Sequence, residues 1–373
     1  MPRQGVSGKN LLMSKPAQPL PEGSMIGILG GGQLGRMTAI AAAELGYRCH
    51  VFAPPGDAPA TDIAAQSTRA EYDDTAALRA FADDVDTVTS EFENVPAAAM
   101  ALIAETTPVS PGVAALETAQ HRIAEKTLAR SLGIATPAFA AIRTADDITA
   151  HLPGMQNGAI LKTCRLGYDG KGQARIDTAA DAADAFASLG SDDCILEEKV
   201  AFTAEASFLV ARTADGRIAH FPASINHHEG GILATSDAPA DPAILPEHHL
   251  RSGQDAVAAM AEHLGLTGLL AMETFVTDAG LVFNEIAPRP HNSFHWTIEG
   301  TATSQFSQLV RAISGLPLGS TAANGRWQMQ NILGEHMPAL DAALAEDGAF
   351  IHRYGKAAAR PGRKMAHITR KLA

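Results

Sequence analysis

Apolar residues in the first hundred positions fall into short blocks that alternate with longer amphipathic ones. MIGILG (25–30) is an unbroken apolar run of strand length. After a Gly-rich turn, residues 33–45 repeat their apolar positions with helical spacing as far as Gly46, the residue type that commonly ends a helix. RCHVFA (48–53) and TVTSEF (87–92) are further strand-length runs. Residues 75–84 read as a helix, as do 96–105, where Pro96 takes a first position that has no intrahelical donor to lose. TPVSPG (107–112) closes the region. Strands alternating with helices predict a parallel, doubly wound sheet.

The texture then changes. One long helix is predicted over 113–132, with Glu, Gln, Arg and Lys on its polar side, and TADD (144–147) opens another as a capping box. AILKTC, QARI, CILEEKV and AEASFLVAR are strands in quick succession with a single helix, 178–189, among them, which predicts antiparallel pairing and an α+β unit. Beyond 200 come a helix at about 242–264, the strands LLAMETFVT (269–277) and LVFNEIA (281–287), and the helix SQFSQLVRAIS (304–314).

At 373 residues the chain is long for one core and suits two or three domains. Asp and Glu number 41 against 29 Lys and Arg, a formal net charge of −12, which argues against a nucleic-acid partner that would need a basic face. Small anionic ligands need only a few local cations. The three cysteines form no CxxC pair, so a zinc knuckle or disulfide framework is not expected, and a reducing cytoplasm is. No apolar stretch is long enough to span a bilayer, and LLM in the first 24 residues is too short for a signal-peptide core; residues 1–24 are expected to be a disordered extension.

GGGQLG (30–35) matches the Gly-rich turn that lets a pyrophosphate approach a helix N-terminus. A dinucleotide site also wants an acid at the end of the second strand, but that strand ends Phe52-Ala53-Pro54-Pro55 and the nearest acid, Asp57, lies past both prolines. A different bound anion and a plain tight turn both remain open. GYDGKGQ (167–173) fails the phosphate-loop template, since Gly172 follows Lys171 where Ser or Thr is needed. Between two antiparallel strands it is either a long hairpin turn or a flap whose N–H groups close over phosphates, with Lys162 in reach of the same oxygens.

Glu273 and Glu285 carry more weight. A three-residue turn, Asp278-Ala279-Gly280, that pairs Thr277 with Leu281 puts the two acids opposite each other with Cβ atoms about 5 Å apart. Opposed carboxylates in an apolar stretch repel, and a hard cation, Mg²⁺ or Mn²⁺, is the natural compensation. Just beyond, APRPHNSFHW (287–296) gathers Arg289, His291, Asn292 and His295 on a proline-stiffened loop, where an Arg fork can hold a carboxylate, bicarbonate or phosphoryl group and His291 can donate, accept or shuttle a proton. EEKV (197–200), with Glu205 five residues on, fits a strand-end linker that reads an adenine edge while a carboxylate takes the ribose; alone it is a solvated acidic end. His228 in NHHEGG is a nucleotide contact only in that context. YGKAAARPGRK (354–364) places Lys356, Arg360, Arg363 and Lys364 on a shaped loop suited to a phosphate monoester.

Through GGGQLGRM, GYDGKGQ, AMETFV, NEIAPRPHNS, HWT, TSQF and RPGRK, in this order from residue 25 to about 369, the chain resembles the 5-(carboxyamino)imidazole ribonucleotide synthetase family of the ATP-grasp superfamily. The resemblance implies an α/β and α+β chain: the extension 1–24, a Rossmann-like domain at 25–120, an ATP-grasp lid at 121–200 and a C-terminal ATP-grasp domain at 201–373. It implies ATP-dependent carboxylation of 5-aminoimidazole ribonucleotide by bicarbonate, through carboxyphosphate, in purine biosynthesis, by a cytoplasmic homodimer with no nucleic-acid or membrane partner. Arg122, Lys162, Gly167, Tyr168, Asp169, Gly170, Lys171, Gly172, Gln173, Glu197, Glu198, Lys199, Val200, Glu205, His228, Asn284 and Glu285 would contact ATP. Glu273 and Glu285 would ligate Mg²⁺ or Mn²⁺. Gly32, Gln33, Leu34, Tyr168, Asp169, Arg289, His291, Asn292, Lys356 and Arg363 would line the substrate site, with Arg289, His291 and Lys356 in catalytic roles. A related ligase with another acceptor, such as formate, would share these parts; a nucleotide-linked oxidoreductase built on GGGQLG is disfavoured by the missing strand-end acid. Phe294 stands where the family usually has Gly, the sequence ends with HITRKLA so that a trimmed C-terminal domain is expected, and the N-terminal extension has no counterpart.

Overall fold

The computed structural model describes residues 18–167 and 172–372; most of the expected extension, residues 1–17, lies outside them. Three sheets follow one another along the chain. The first is parallel, with β1 (Met25–Leu29), β2 (Arg48–Ala53), β3 (Gln66–Arg69), β4 (Thr87–Ser90) and β5 (Val109–Ser110) in the order β3-β2-β1-β4-β5. Its central strand MIGIL is buried at every position, as a parallel strand covered on both faces must be. The expected disorder of residues 18–24 is corrected. The Leu20 N–H donates to Ser314 O at 2.8 Å, Leu20 O accepts from the Tyr47 hydroxyl at 3.1 Å, and the Leu20 side chain packs on the core. One apolar anchor with its backbone satisfied is enough to hold the segment.

The predicted helix 113–132 is two helices, Val113–Ala119 and Arg122–Ser131. The break is tertiary in origin. The Gln120 amide donates to the carbonyls of Glu93 and Val95 at 2.7 and 2.6 Å, His121 turns extended, and the Arg122 N–H donates to Cys164 O at 3.0 Å. Arg122 is thereby set at a helix start facing the second sheet.

That sheet is antiparallel: β6 (Phe139–Ile142), β7 (Ala159–Thr163), β8 (Gln173–Ile176) and β9 (Cys194–Glu198), in the order β6-β9-β7-β8. The Thr144–Asp147 capping box forms as predicted. The third sheet holds β10 (Ala204–Arg212), β11 (Ile218–His220), β12 (Ser224–Glu229), β13 (Ile232–Ala238), β14 (Gly268–Thr277), β15 (Gly280–Ala287), β16 (Arg326–Leu333), β17 (Ala349–Arg353) and β18 (Lys364–Leu372). Its order is β15-β14-β10-β12-β13-β16-β18-β17, with β11 beside β10. Strand β10 shows why the sheet is covered on both sides. Phe208 and Val210 join Val257 and Met260 of the helix Glu247–His263, whereas Leu209 and Ala211 join Phe306 and Leu309 of the helix Gln305–Ile313. The latter cluster also contains Ile28, Met37 and Val51, so the first and third sheets share one core. Phe294 lies in this core against Phe221, inside a short 3₁₀ turn, Asn292–Phe294. Among the described residues no helix is long and apolar enough to cross a membrane.

Candidate active site

The β14–β15 hairpin brings Glu273 opposite Glu285, as the sequence predicts, but by another route. The turn has two residues, Asp278 and Ala279, so Thr277 pairs with Gly280 and the register starts one residue off. A β-bulge then leaves Asn284 unpaired between Phe283 and Glu285 and restores the opposition. Lys126 fixes the bulge: its ammonium donates to Asn284 O at 2.7 Å.

Glu273 is enclosed. Burial, and then the charge of Glu285, raise its proton affinity, and His291 Nε2 lies 3.5 Å from its Oε1. Ligand atoms of Glu205, His228 and Glu273 lie within 4.8 Å of one another, with His228 Nδ1 3.2 Å from Glu205 Oε1. A largely buried acid set against a second one, in an oxygen-rich corner, has the donor set a hard dication takes. Glu285 meets Arg122 at 3.0 Å, and the same guanidinium donates to Gly167 O at 3.1 Å, which ties the hairpin to the root of the Gly-rich loop.

Glu197 is nearly enclosed between two ammonium groups, Lys162 at 2.8 Å and Lys126 at 3.1 Å. Burial would raise its pKa, but the two lysines outweigh burial and hold it at about 2. Burial, partly offset by Glu197, lowers the pKa of Lys162. Glu197, Glu198 and Lys199, the expected strand-end linker, each have side-chain partners within the protein. The Glu197 side chain is the counter-ion of the lysines. Glu198 takes Asn157 at 3.2 Å, Lys199 points to Asp177 at 3.6 Å, and the N–H groups of Glu198 and Lys199 are bonded to Ala138 O and Gly158 O. Carbonyls, and Val200 beyond them, remain for a ring edge. At the loop, Lys162 pairs with Gln173 across the base, and Gly172 has φ +69° with no room for a Cβ, which would lie 2.8 Å from Thr163 Oγ1. Tyr168, Asp169, Gly170 and Lys171 lie outside the described residues.

On the loop after β15, Arg289 is held by Glu93 of the first domain and donates to Pro290 O at 3.0 Å. His291 bonds Ser293 Oγ through Nδ1 at 2.7 Å; burial, then Arg289 and Lys364, push its pKa down to about 3. With that pKa the ring would be neutral near pH 7, able to donate or accept one hydrogen bond. The Asn292 amide has no hydrogen-bond partner among the described residues on either atom, although both atoms are buried. His295 does not join Arg289 and His291; it is sealed in the core beside Phe306.

The GGGQLG loop is occupied from within. Gly32 and Gly35 donate to the Glu91 carboxylate at 2.8 and 3.0 Å, and Cβ atoms on Gly30 or Gly32 would collide with it. Of the three residues expected at a ligand here, Gly32 has its donor on Glu91, Leu34 is buried, and Gly32 and Gln33 keep partial exposure. Lys356, on the loop between β17 and β18, donates to Lys364 O at 2.7 Å, and burial, then Arg363, push its pKa down to about 8. Arg363 pairs with Asp57 at 2.6 Å, and the Ala357 N–H also donates to Asp57, so the acid passed over for a ribose pins this loop to the first domain. Asp57, Glu91, Glu93 and Lys126 are the polar residues sequence reading missed. The signal for Glu91 and Glu93 was available: both follow the carboxyl end of a central parallel strand, where ligand crevices of open α/β sheets form.

The chain matches three family models: the ribonucleotide synthetase preATP-grasp domain over residues 24–120, the ATP-grasp domain over 127–306, and the phosphoribosylaminoimidazole carboxylase C-terminal domain over 328–371. It is 44% identical over 349 residues to N5-carboxyaminoimidazole ribonucleotide synthase of Pseudomonas aeruginosa, covering 93% of this chain and 94% of the relative. The chain belongs to the N5-carboxyaminoimidazole ribonucleotide synthase family. As a member it is an ATP-grasp ligase, with that family's parallel N-terminal sheet and antiparallel sheets. It also matches a bifunctional purine synthesis protein of Dictyostelium discoideum, 40% identical over 94% of this chain, of which it spans 37%. The synthase of Aspergillus clavatus, solved in complex with ADP and 5-aminoimidazole ribonucleotide, superposes with a TM-score of 0.87 at 29% identity, over 94% of each chain.

Proposed function

We infer that this cleft carries out the family reaction: ATP phosphorylates bicarbonate to carboxyphosphate, and the amine of 5-aminoimidazole ribonucleotide takes up the carboxyl group to give 5-(carboxyamino)imidazole ribonucleotide, ADP and phosphate. The reading is carried by the bulged hairpin, which opposes Glu273 to Glu285 within reach of both Arg122 and His291. Glu273 and Glu285 would hold Mg²⁺ or Mn²⁺, which when bound supplies charge neutralisation at phosphoryl oxygens.

Phosphoryl transfer asks mainly for positioning and charge compensation. Lys162, freed from Glu197 by a small swing, would meet the phosphates, with Gly172 and Gln173 at the closing end of the flap and Glu205 and His228 at the ribose. Tyr168–Lys171 would complete the flap and exclude water from the mixed anhydride. Arg289, already aimed by Glu93, would hold the bicarbonate oxygens. The neutral His291 would donate or accept one hydrogen bond there without changing charge, and the unpartnered Asn292 amide offers both a donor and an acceptor to the same pocket. Lys356 and Arg363 would take the substrate phosphate. A cytoplasmic homodimer in purine biosynthesis completes the proposal. The test is to incubate the protein with ATP, Mg²⁺, bicarbonate and 5-aminoimidazole ribonucleotide. Phosphate release matched one-to-one by carboxylated product is expected; release that ignores the ribonucleotide contradicts the assignment.

A further inference from the structure

We propose that Gln305 is a positioning residue for carboxylation, clamping the loop that carries Arg289 and His291 into its working shape. The proposal rests on the assignment of that loop to bicarbonate. Gln305 is the first residue of the helix Gln305–Ile313 and is fully buried. Its side-chain amide is spent entirely on one loop: Oε1 accepts the His291 N–H at 2.8 Å, and Nε2 donates to His291 O at 2.9 Å and to His295 Nδ1 at 2.9 Å. A single side chain thus does for His291 what a neighbouring strand does for a ladder residue.

The loop needs such a partner because Pro288 and Pro290 flank Arg289 and offer no N–H. The first backbone donor after Arg289 is that of His291, and Gln305 takes it. The amide orientation is fixed by the same contacts, because only an oxygen can accept the His291 N–H. Nε2 can only donate, so His295 carries its proton on Nε2. His295 is seated in turn between rings, with Phe306 at 5.5 Å and His367 at 4.8 Å. Helix capping does not require this side chain, since Ser304 caps the helix by accepting from the Ser307 N–H. What the clamp sets is the 3.5 Å approach of His291 Nε2 to Glu273 and the span from there to Arg289.

Gln305→Met keeps length and removes all three bonds; Gln305→Glu keeps an acceptor for His291 and, when protonated in this buried place, one donor. The order expected for kcat/KM with bicarbonate is parent, then Glu, then Met. The Met variant should fall about 100-fold, the effect of misplacing a catalytic group by about 1 Å. ADP affinity should stay within about two-fold, and phosphate release should exceed carboxylated product because the mixed anhydride is no longer handed on. Bicarbonate kinetics of Gln305→Met within about three-fold of the parent overturn the proposal. So does an equal loss of ADP and bicarbonate binding with the coupling ratio unchanged. If the Met variant does not fold, Gln305→Glu decides: a lowered kcat/KM for bicarbonate together with uncoupled phosphate release supports the clamp, and parental values of both overturn it. His291→Ala, assayed beside them, separates the two claims. Unchanged bicarbonate kinetics there overturn the loop assignment itself and the clamp with it. A crippled His291→Ala beside a normal Gln305→Met overturns the clamp alone.

Discussion

Replacing Lys126 by Met tests whether one buried cation holds the nucleotide side of the site together. The Lys126 side chain has 0% exposure and makes two polar contacts, with Glu197 Oε1 at 3.1 Å and Asn284 O at 2.7 Å. Met preserves most of the volume, so the change isolates the charge. The Asn284 carbonyl loses a charge-assisted donor at the bulge, about 1–3 kcal/mol. Glu197 loses one of its two close cations. Breaking a buried pair outright costs about 3–5 kcal/mol, and Lys162 remains at 2.8 Å to absorb part of that. A net loss of about 3–5 kcal/mol is expected. At about 2 °C per kcal/mol for a large domain, the melting temperature should drop roughly 6–10 °C.

The acid response gives a second reading of the same contact. The folded-state pKa of Glu197 is held at about 2, below its ordinary 4.5. Its stabilisation is therefore present above pH 4.5 and is lost as pH falls through that window toward 2. Without Lys126 the folded pKa climbs back toward 4.5, the advantage at neutral pH shrinks, and acid unfolding begins at a higher pH. Thermal melts at pH 7.5 and across pH 3–5 measure both effects, and a Mg²⁺ titration of ATP turnover should shift to higher Mg²⁺ because Asn284 precedes Glu285. A melting temperature within about 2 °C of the parent, with an unshifted acid midpoint, would refute the reasoning.

Glu285→Gln should cut bicarbonate-dependent ADP release at least about 100-fold while leaving the circular dichroism spectrum intact; near-normal turnover contradicts the metal assignment. Arg289→Lys loses the planar fork, a charged contact worth about 2 kcal/mol, so kcat/KM for bicarbonate should fall roughly 30-fold while ATP affinity holds. Equal loss of both counts against its role. Lys356, at about pH 8, is cationic below that value and neutral above it, so KM for the aminoimidazole ribonucleotide should be flat at lower pH and rise above 8. Lys356→Arg should remove the rise, and its persistence at the same pH excludes Lys356 as the cause. No titration of His291 should appear near pH 6.5, because its ring stays neutral down to about 3.

Much of the architecture is written locally. Buried MIGIL, the helix that follows it, the Thr144–Asp147 cap and the alternating faces of AEASFLVAR each follow from periodicity and capping chemistry, because neighbours in sequence are also the neighbours in space that decide them. The opposed acids of the hairpin were legible for the same reason: their pairing depends only on the number of residues between them, although the turn and the bulge divide that number differently from the simplest reading. Contacts across sheets were not legible. Glu91 inside the GGGQLG loop, Glu93 on Arg289, Asp57 on Arg363 and Lys126 between Glu197 and Asn284 join residues 56 to 306 positions apart. The split of the 113–132 helix belongs with them, since Gln120 leaves its own turn for carbonyls on another segment. By itself the sequence determined which elements form and which residues carry charge. Only the tertiary structure decided which charges meet and which side chains stay free for a ligand, because burial selects partners by distance in space, and distance along the chain carries no record of that.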